Sequence, residues 1–203
     1  MSFSVLIVGA FDPELAPLRD RFGGASSPGV PGGSPAATTR ACGIGLPASA
    51  AGVAALIAEI EPSAVVLVGS CGAYAGAGLA IGEVAVVRRV RLVCDLSLQS
   101  AAAFPAPMTT EIESHGAMRD ALASVGGRTF DVATTLAITV DDDAAQRIER
   151  VTGAQVEHLE AFGVATACGA RGIPFAAVLG VANFVGSQAR DQWRRHHREA
   201  EIA

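Results

Sequence analysis

Lysine is missing from this 203-residue chain, in which all 15 cationic side chains are arginines. A Schiff-base enzyme needs a lysine amine, and a phosphate-loop nucleotide hydrolase needs a lysine in its glycine-rich loop, so both classes are excluded. Cysteine is sparse: Cys42, Cys71, Cys94 and Cys168 are scattered without any C-x-x-C spacing. This argues against a zinc site or a disulfide framework and for small buried residues. No apolar run reaches the roughly 18 residues that a membrane span requires, and no basic leader opens the chain. Neither a membrane segment nor a secretion signal is expected, and the cytoplasm is the default location. Excess positive charge is also lacking, and a net charge of -5 gives no reason to expect a nucleic-acid partner. The histidines, His115, His158, His196 and His197, are not near a predicted strand end, so nucleophilic acyl chemistry is not expected.

What is present suits one substantial core. Half of the residues are hydrophobic and 17% are charged, which with the chain's length predicts a single domain over 1–203. Its most informative stretch is VEHLEAFGVATACGARGIPFAAVLGVANFVG at 156–186. Leu159, Phe162, Gly163, Ala165, Thr166 and Ala167 predict a closely packing helix over 157–170, ended by Arg171-Gly172. After Pro174 a strand is expected over 175–182. It is apolar on both alternating faces, as in a parallel sheet covered on each side. Asn183 then falls at the carboxyl end of that strand, where open α/β sheets bind ligands. Glu160 is a carboxylate inside an otherwise small and apolar helix.

Earlier, an apolar strand over 4–8 leads through Gly9-Ala10-Phe11 into a helix reaching Phe22. Asp12 suits its N-cap and Pro13 its first position, and Glu14 gains from the positive helix end, which by itself makes Glu14 structural. GGASSPGVPGGSP at 23–35 reads as a mobile loop. A strand over 38–42, the Gly43-Ile44-Gly45 turn and a helix over 47–61 follow. The dinucleotide fingerprint fails there, since its third glycine and later acidic partner are not in place. Another buried strand, 64–68, ends in Gly69-Ser70-Cys71-Gly72. A turn at that point would offer N–H groups and a hydroxyl to an anion, a water or a sugar.

A strand over 82–93 carries Arg88, Arg89 and Arg91, read as a solvated edge. The segment 94–108, with Phe104 and Pro105, reads as a long loop. A helix is expected over 112–124 and one or two strands over 128–140. Asp141-Asp142-Asp143 invites a metal reading, but Asp143 and Gln146 form a capping box for a helix over 144–152, and no metal is expected. The tail, 188–203, reads as a terminal helix with Trp193 docked on the body and an exposed basic face. Glu14, Ser70 and Asn183 thus lie beyond the ends of three separate predicted strands, with Glu160 on the helix before the last. This pattern suits convergence on one cleft.

GAFDPEL at 9–15, CGIGLPASAA at 42–51, VGSCGAYAGAGLAIGEV at 68–84, and EHLEAFGVATAC followed by GVANFVG and Trp193 resemble the purine nucleoside phosphorylase and nucleosidase superfamily. The resemblance spans nearly the whole chain and is strongest toward the futalosine hydrolase branch. It implies a three-layer α/β/α domain with a central mixed sheet. It also implies a homo-oligomer, dimeric or larger, in which a neighbour's loop, here with Phe104-Pro105, closes a nucleoside site that needs no cofactor. Glu14 matches the acid that activates the attacking water, and Glu160 the glutamate that binds the ribosyl hydroxyls. Leu159 takes the place, usually methionine, beneath the sugar. Ser70 and Gly72 match the ribose and nucleophile pocket, Ala137 and Ile138 fall near the base, and Asn183 faces the purine N7 side. Adenine-specific nucleosidases typically carry aspartate where Asn183 stands. An amide donates to O6 and accepts from a protonated N7, which favours a 6-oxopurine such as the hypoxanthine of futalosine. Leu67 stands where related phosphorylases place an arginine, and GAFDPEL lacks their other arginine, so the resemblance favours water over phosphate as nucleophile.

Overall fold

The computed structural model describes residues 3–22 and 36–202. The expected loop at 23–35 lies outside them. Val5, Leu6, Ile7 and Val8 favour an extended backbone and form β1 (Ser4–Gly9), which pairs in parallel with β2 (Ala36–Ala41) on one side and β3 (Ala64–Ala73) on the other. At the centre, β3 runs parallel to β8 (Phe175–Phe184), each ten residues long and apolar over most of its length. The far side of β8 pairs antiparallel with β4 (Val84–Leu92), and β4 lies parallel to β6 (Arg128–Thr134). A two-residue strand, β7 (Val156–Glu157), bridges β6 back to β3, and β5 (Glu111–Glu113) edges β4. The eight-stranded mixed sheet therefore closes on itself through β3, β8, β4, β6 and β7, with β1 and β2 extending from β3.

Helices complete a three-layer α/β/α domain. They are α1 (Asp12–Phe22), α2 (Leu46–Ile60), α3 (Asp95–Leu98), α4 (Gly116–Ser124), α5 (Asp142–Thr152), α6 (Ala161–Gly169) and α7 (Ala189–Ile202). The main core joins Leu6, Val8 and Leu67 of the sheet to Val53 and Ile57 of α2 and Val164 and Cys168 of α6. Helices α2 and α6 touch at Gly163, where a Cβ would stand 2.6 Å from the Leu46 carbonyl oxygen and 2.7 Å from Ser49 Oγ. Only glycine fits that crossing. Cys42, Cys71 and Cys168 are buried free thiols, each pushed up to about 12 by desolvation.

Several elements differ from the sequence expectation, each for a local reason. Residues 157–160 are not helical, because Val156 and Glu157 extend to bond both β3 and β6, and α6 begins only at Ala161. Gly69-Ser70-Cys71-Gly72 is not a turn: β3 runs on to Ala73 by pairing with β8, with one irregularity between Cys71 and Gly72. For the same reason Asn183 lies within β8, paired with Gly72 immediately after the register break, and not beyond its end. The start of the expected 112–124 helix is β5, where Ile112 pairs with Val90. Arg88, Arg89 and Arg91 are not on a free edge, since β4 is flanked by β5, β6 and β8; they pair with Asp131, Glu111 and Glu113. The cap of α5 is Asp141, whose carboxylate accepts from Ala144 N–H at 2.8 Å, and not Asp143. Asp142 instead accepts from the N–H and hydroxyl of Ser187.

Candidate active site

One cavity of about 480 Å³ opens at the carboxyl ends of β1, β3 and β8. Glu14, Ser70, Gly72, Ile138, Leu159, Glu160 and Asn183 all line it. Ala137 is not among the lining residues; its carbonyl accepts from the Thr135 hydroxyl, in the loop that presents Ile138.

Glu14 sits in the first turn of α1, turned back over the end of β1, and is only 6% exposed. Its Oε2 accepts from Ala10 N–H at 2.8 Å, and its Oε1 from Ser70 N–H at 3.3 Å and Ser70 Oγ at 3.4 Å. Burial raises its pKa above the ordinary carboxyl value, while nearby His158 and the two backbone donors pull the other way. Gly69 leaves it room, because a Cβ there would stand 3.0 Å from Glu14 Oε1. The group is thus a carboxylate pinned for a role the helix N-terminus does not require.

Glu160 immediately precedes α6, and its Oε1 accepts from Gly45 N–H at 2.7 Å. Gly45 has φ +84°, a conformation natural to glycine, and this aims its N–H across at Glu160. The Gly43-Ile44-Gly45 turn therefore serves a carboxylate. Glu160 Oε2 lies 3.3 Å from His158 Nδ1, and the Glu160 backbone nitrogen lies 3.2 Å from the same ring nitrogen. Asn183 donates through Nδ2 to the Phe184 carbonyl at 2.9 Å, which leaves Oδ1 and the second amide proton for the cavity. A Cβ at Gly72 would come within 2.8 Å of that amide nitrogen.

Among the wall residues that sequence reasoning missed, four are acidic or basic. His158 directly follows β7, so a histidine does stand at a strand end; the expected helix at 157–170 hid it. Glu157 is buried and accepts from Thr139 N–H at 2.9 Å, from the Thr139 hydroxyl at 2.5 Å and from the Tyr74 hydroxyl at 3.2 Å, which fastens the loop carrying Ile138. Arg190 and Arg194 reach the cavity from α7, one helical turn apart, as does Trp193 between them. Their signal was available in the tail's arginines, but nothing in the sequence says that α7 folds over the strand ends. Among the described residues, no group of three or more His, Cys, Asp or Glu is placed to hold a metal ion. No helix among them is long and apolar enough to cross a membrane.

A closed mixed sheet with helices on both faces, gathering buried carboxylates and one amide at its strand ends, is the architecture of the nucleoside phosphorylase and hydrolase class. The chain belongs to the phosphorylase superfamily, whose model matches residues 4–203. No curated protein sequence matches it. Among solved structures, a mutant of the Helicobacter pylori 5′-methylthioadenosine/S-adenosylhomocysteine nucleosidase, with 5′-methylthioadenosine in its active site, superposes with a TM-score of 0.87 at 16% identity, covering 100% of this chain and 94% of that one. Futalosine hydrolase of Helicobacter pylori gives 0.86 at 16% identity, with coverage of 100% and 94%. The Colwellia psychrerythraea nucleosidase in complex with adenine gives 0.82 at 21% identity, with 100% and 91% covered. At these identities the likeness is one of fold.

Proposed function

We propose that this protein is a purine nucleosidase that uses water to cleave the N-glycosidic bond of futalosine, releasing hypoxanthine. The observation that carries the reading is the convergence of buried Glu14, Glu160 and Asn183 on one cavity. Glycosidic cleavage passes through an oxocarbenium-like state, so it needs an activated water, hydrogen bonds to the sugar and help for the departing base. Glu14, with a pKa raised toward the working pH, takes the proton of the attacking water. Glu160 binds the ribosyl hydroxyls, Leu159 lies beneath the sugar, and Ser70 and Gly72 line the ribose and nucleophile pocket. Ile138 and neighbouring Ala137 belong to the base side. Asn183 accepts from N7 as it becomes protonated and donates to O6, which an aspartate in its place would repel. This preference separates the protein from methylthioadenosine and S-adenosylhomocysteine nucleosidases. Its place is then the cytoplasmic menaquinone route, as a homo-oligomer in which Phe104-Pro105 approaches a neighbour's site.

A phosphorylase is the second reading, because Arg190 and Arg194 put cations on the cavity wall and phosphate needs such groups. Against it, Glu14 is bonded to backbone and serine donors, and Leu67 is a fully buried apolar residue. Chromatography of free base from futalosine, inosine and methylthioadenosine, each with and without phosphate, separates these readings. Hypoxanthine from futalosine alone, independent of phosphate, is expected. Release only with phosphate makes the protein a phosphorylase; no release from any substrate makes it a nucleoside-binding relative.

A further inference from the structure

Trp193 is the chain's single tryptophan, and it stands on α7, 123 residues from the strand it touches. Its indole N–H, which can only donate, gives a 3.0 Å hydrogen bond to Ser70 Oγ. Ser70 Oγ in turn lies 3.4 Å from Glu14 Oε1. A serine hydroxyl has one proton and two lone pairs. With the indole donating to one lone pair, the hydroxyl is left to turn its own proton toward Glu14. The indole is itself held in place: its ring stacks on His197 with centroids 4.5 Å apart, and His197 Nδ1 lies 3.0 Å from the Trp193 carbonyl oxygen. We propose that Trp193 is a positioning residue for the water-activating carboxylate, acting through Ser70 to orient a hydroxyl donor onto Glu14. The proposal rests on the reading of Glu14 as the base.

The chain of donors makes physical sense at this site. Glu14 is buried, and each donor aimed at its carboxylate favours the charged form that can accept a proton from water. Ala10 N–H and Ser70 N–H are fixed by the backbone, but the Ser70 hydroxyl is a rotor whose direction must be set from outside. No strand residue sets it, and α7 does. Among the described residues, the other charged or titratable groups that face this carboxylate are His158 and Glu160 beside β7 and α6, and Cys42 at the end of β2. Arg190 and Arg194 line the same cavity from α7. A role for Trp193 must therefore be separated from theirs.

The test is the pH dependence of kcat/KM in Trp193→Phe, Ser70→Ala and the double variant. Phenylalanine keeps an aromatic ring for His197 and removes the N–H together with the second, smaller ring, so the pH limb, and not KM alone, is the readout that isolates the donor. The acid limb should move up by about one pH unit in Trp193→Phe, because one donor to the charged form is no longer oriented. Ser70→Ala should move it at least as far, and the double variant no further than Ser70→Ala, since both act through one hydroxyl. An unmoved limb in Trp193→Phe, with only KM raised, would reduce Trp193 to a wall of the cavity and overturn the proposal. So would additive shifts in the double variant. Should the protein release no base at all, the reading of function fails, yet the relay stays measurable. In protein labelled with carbon-13 at glutamate carboxyls, the resonance that Glu14→Gln removes should titrate at higher pH in Trp193→Phe, and an unchanged titration would refute the relay.

Discussion

At the level of single residues, the account rests on two side chains whose environments push them toward different tasks. Glu14 is held by three donors in a buried site, and its pKa is raised chiefly by desolvation. As the base it must be ionised, so kcat/KM should rise with pH along an acid limb lying above 4.5, the ordinary value for glutamate. A limb at or below that value would contradict the assignment. Asn183 keeps an acceptor and a donor proton free for the base. Asn183→Asp should lower kcat/KM for 6-oxopurine nucleosides by about 10-fold or more relative to adenine nucleosides, and an unchanged ratio would remove Asn183 from base selection. Asn183 was legible in the sequence because it ends an apolar strand run; Glu14, which by itself read as structural, was legible through its place after another strand and its match to the resembled family's acid. Glu157 and His158 were not, since Val156-Glu157-His158-Leu159-Glu160 carries no sign of a two-residue strand. That strand exists only because β3 and β6 leave a gap that it fills.

Elements were read well where periodicity was strong and poorly where tertiary pairing decided. The strands over 4–8 and 64–68 and the helices α2 and α5 follow from their apolar spacing and their end signals. Continuation of β3 through Ser70 does not, because three of its residues at 69–72 are small and only partnership with β8 keeps them extended. The α5 cap illustrates a similar shift of two residues along the acidic triplet. Asp141→Ala should cost about 1 kcal/mol of unfolding free energy, while Asp143→Ala, with no cap to lose, should cost little. Urea titrations decide it, and equal effects would restore the capping box on Asp143. The α2–α6 crossing gives a sharper case. Gly163→Ala gains helix propensity yet drives a methyl group into the Leu46 carbonyl, so a net loss of about 1–3 kcal/mol is expected. A variant as stable as the parent would mean that the two helices part easily.

For the whole molecule, the site exists because the sheet closes. Strands β1, β3 and β8 bring Glu14, Ser70 and Asn183 to one level, β7 adds Glu157 and His158 from across the ring, and α7 returns from the far end of the chain to lay Trp193 on Ser70. The fold class and most of the cavity's strand-borne residues could be read from the sequence; the covering of the site by α7 could not, because a helix's destination is not written in its own pattern. This assembly has a stability consequence. Glu14 and Glu157 are both buried acids whose folded-state pKa values are raised by desolvation. The folded state therefore binds their protons more tightly than the unfolded one. Their contribution is complete below about 4.5, the unfolded value, and is lost as pH rises through the raised folded values. Denaturant midpoints measured upward from pH 4.5 should fall less steeply in Glu14→Gln than in the parent. Identical slopes would mean that Glu14 carries no such linkage.

The central claim, that Glu14 activates water to break an N-glycosidic bond, is tested most directly by the rate of hypoxanthine release from futalosine in phosphate-free buffer, parent against Glu14→Gln. The account predicts steady release by the parent and a loss of about 100-fold or more in the variant, with the thermal midpoint of the variant no lower than that of the parent at neutral pH. Release by Glu14→Gln within a few-fold of the parent would contradict it.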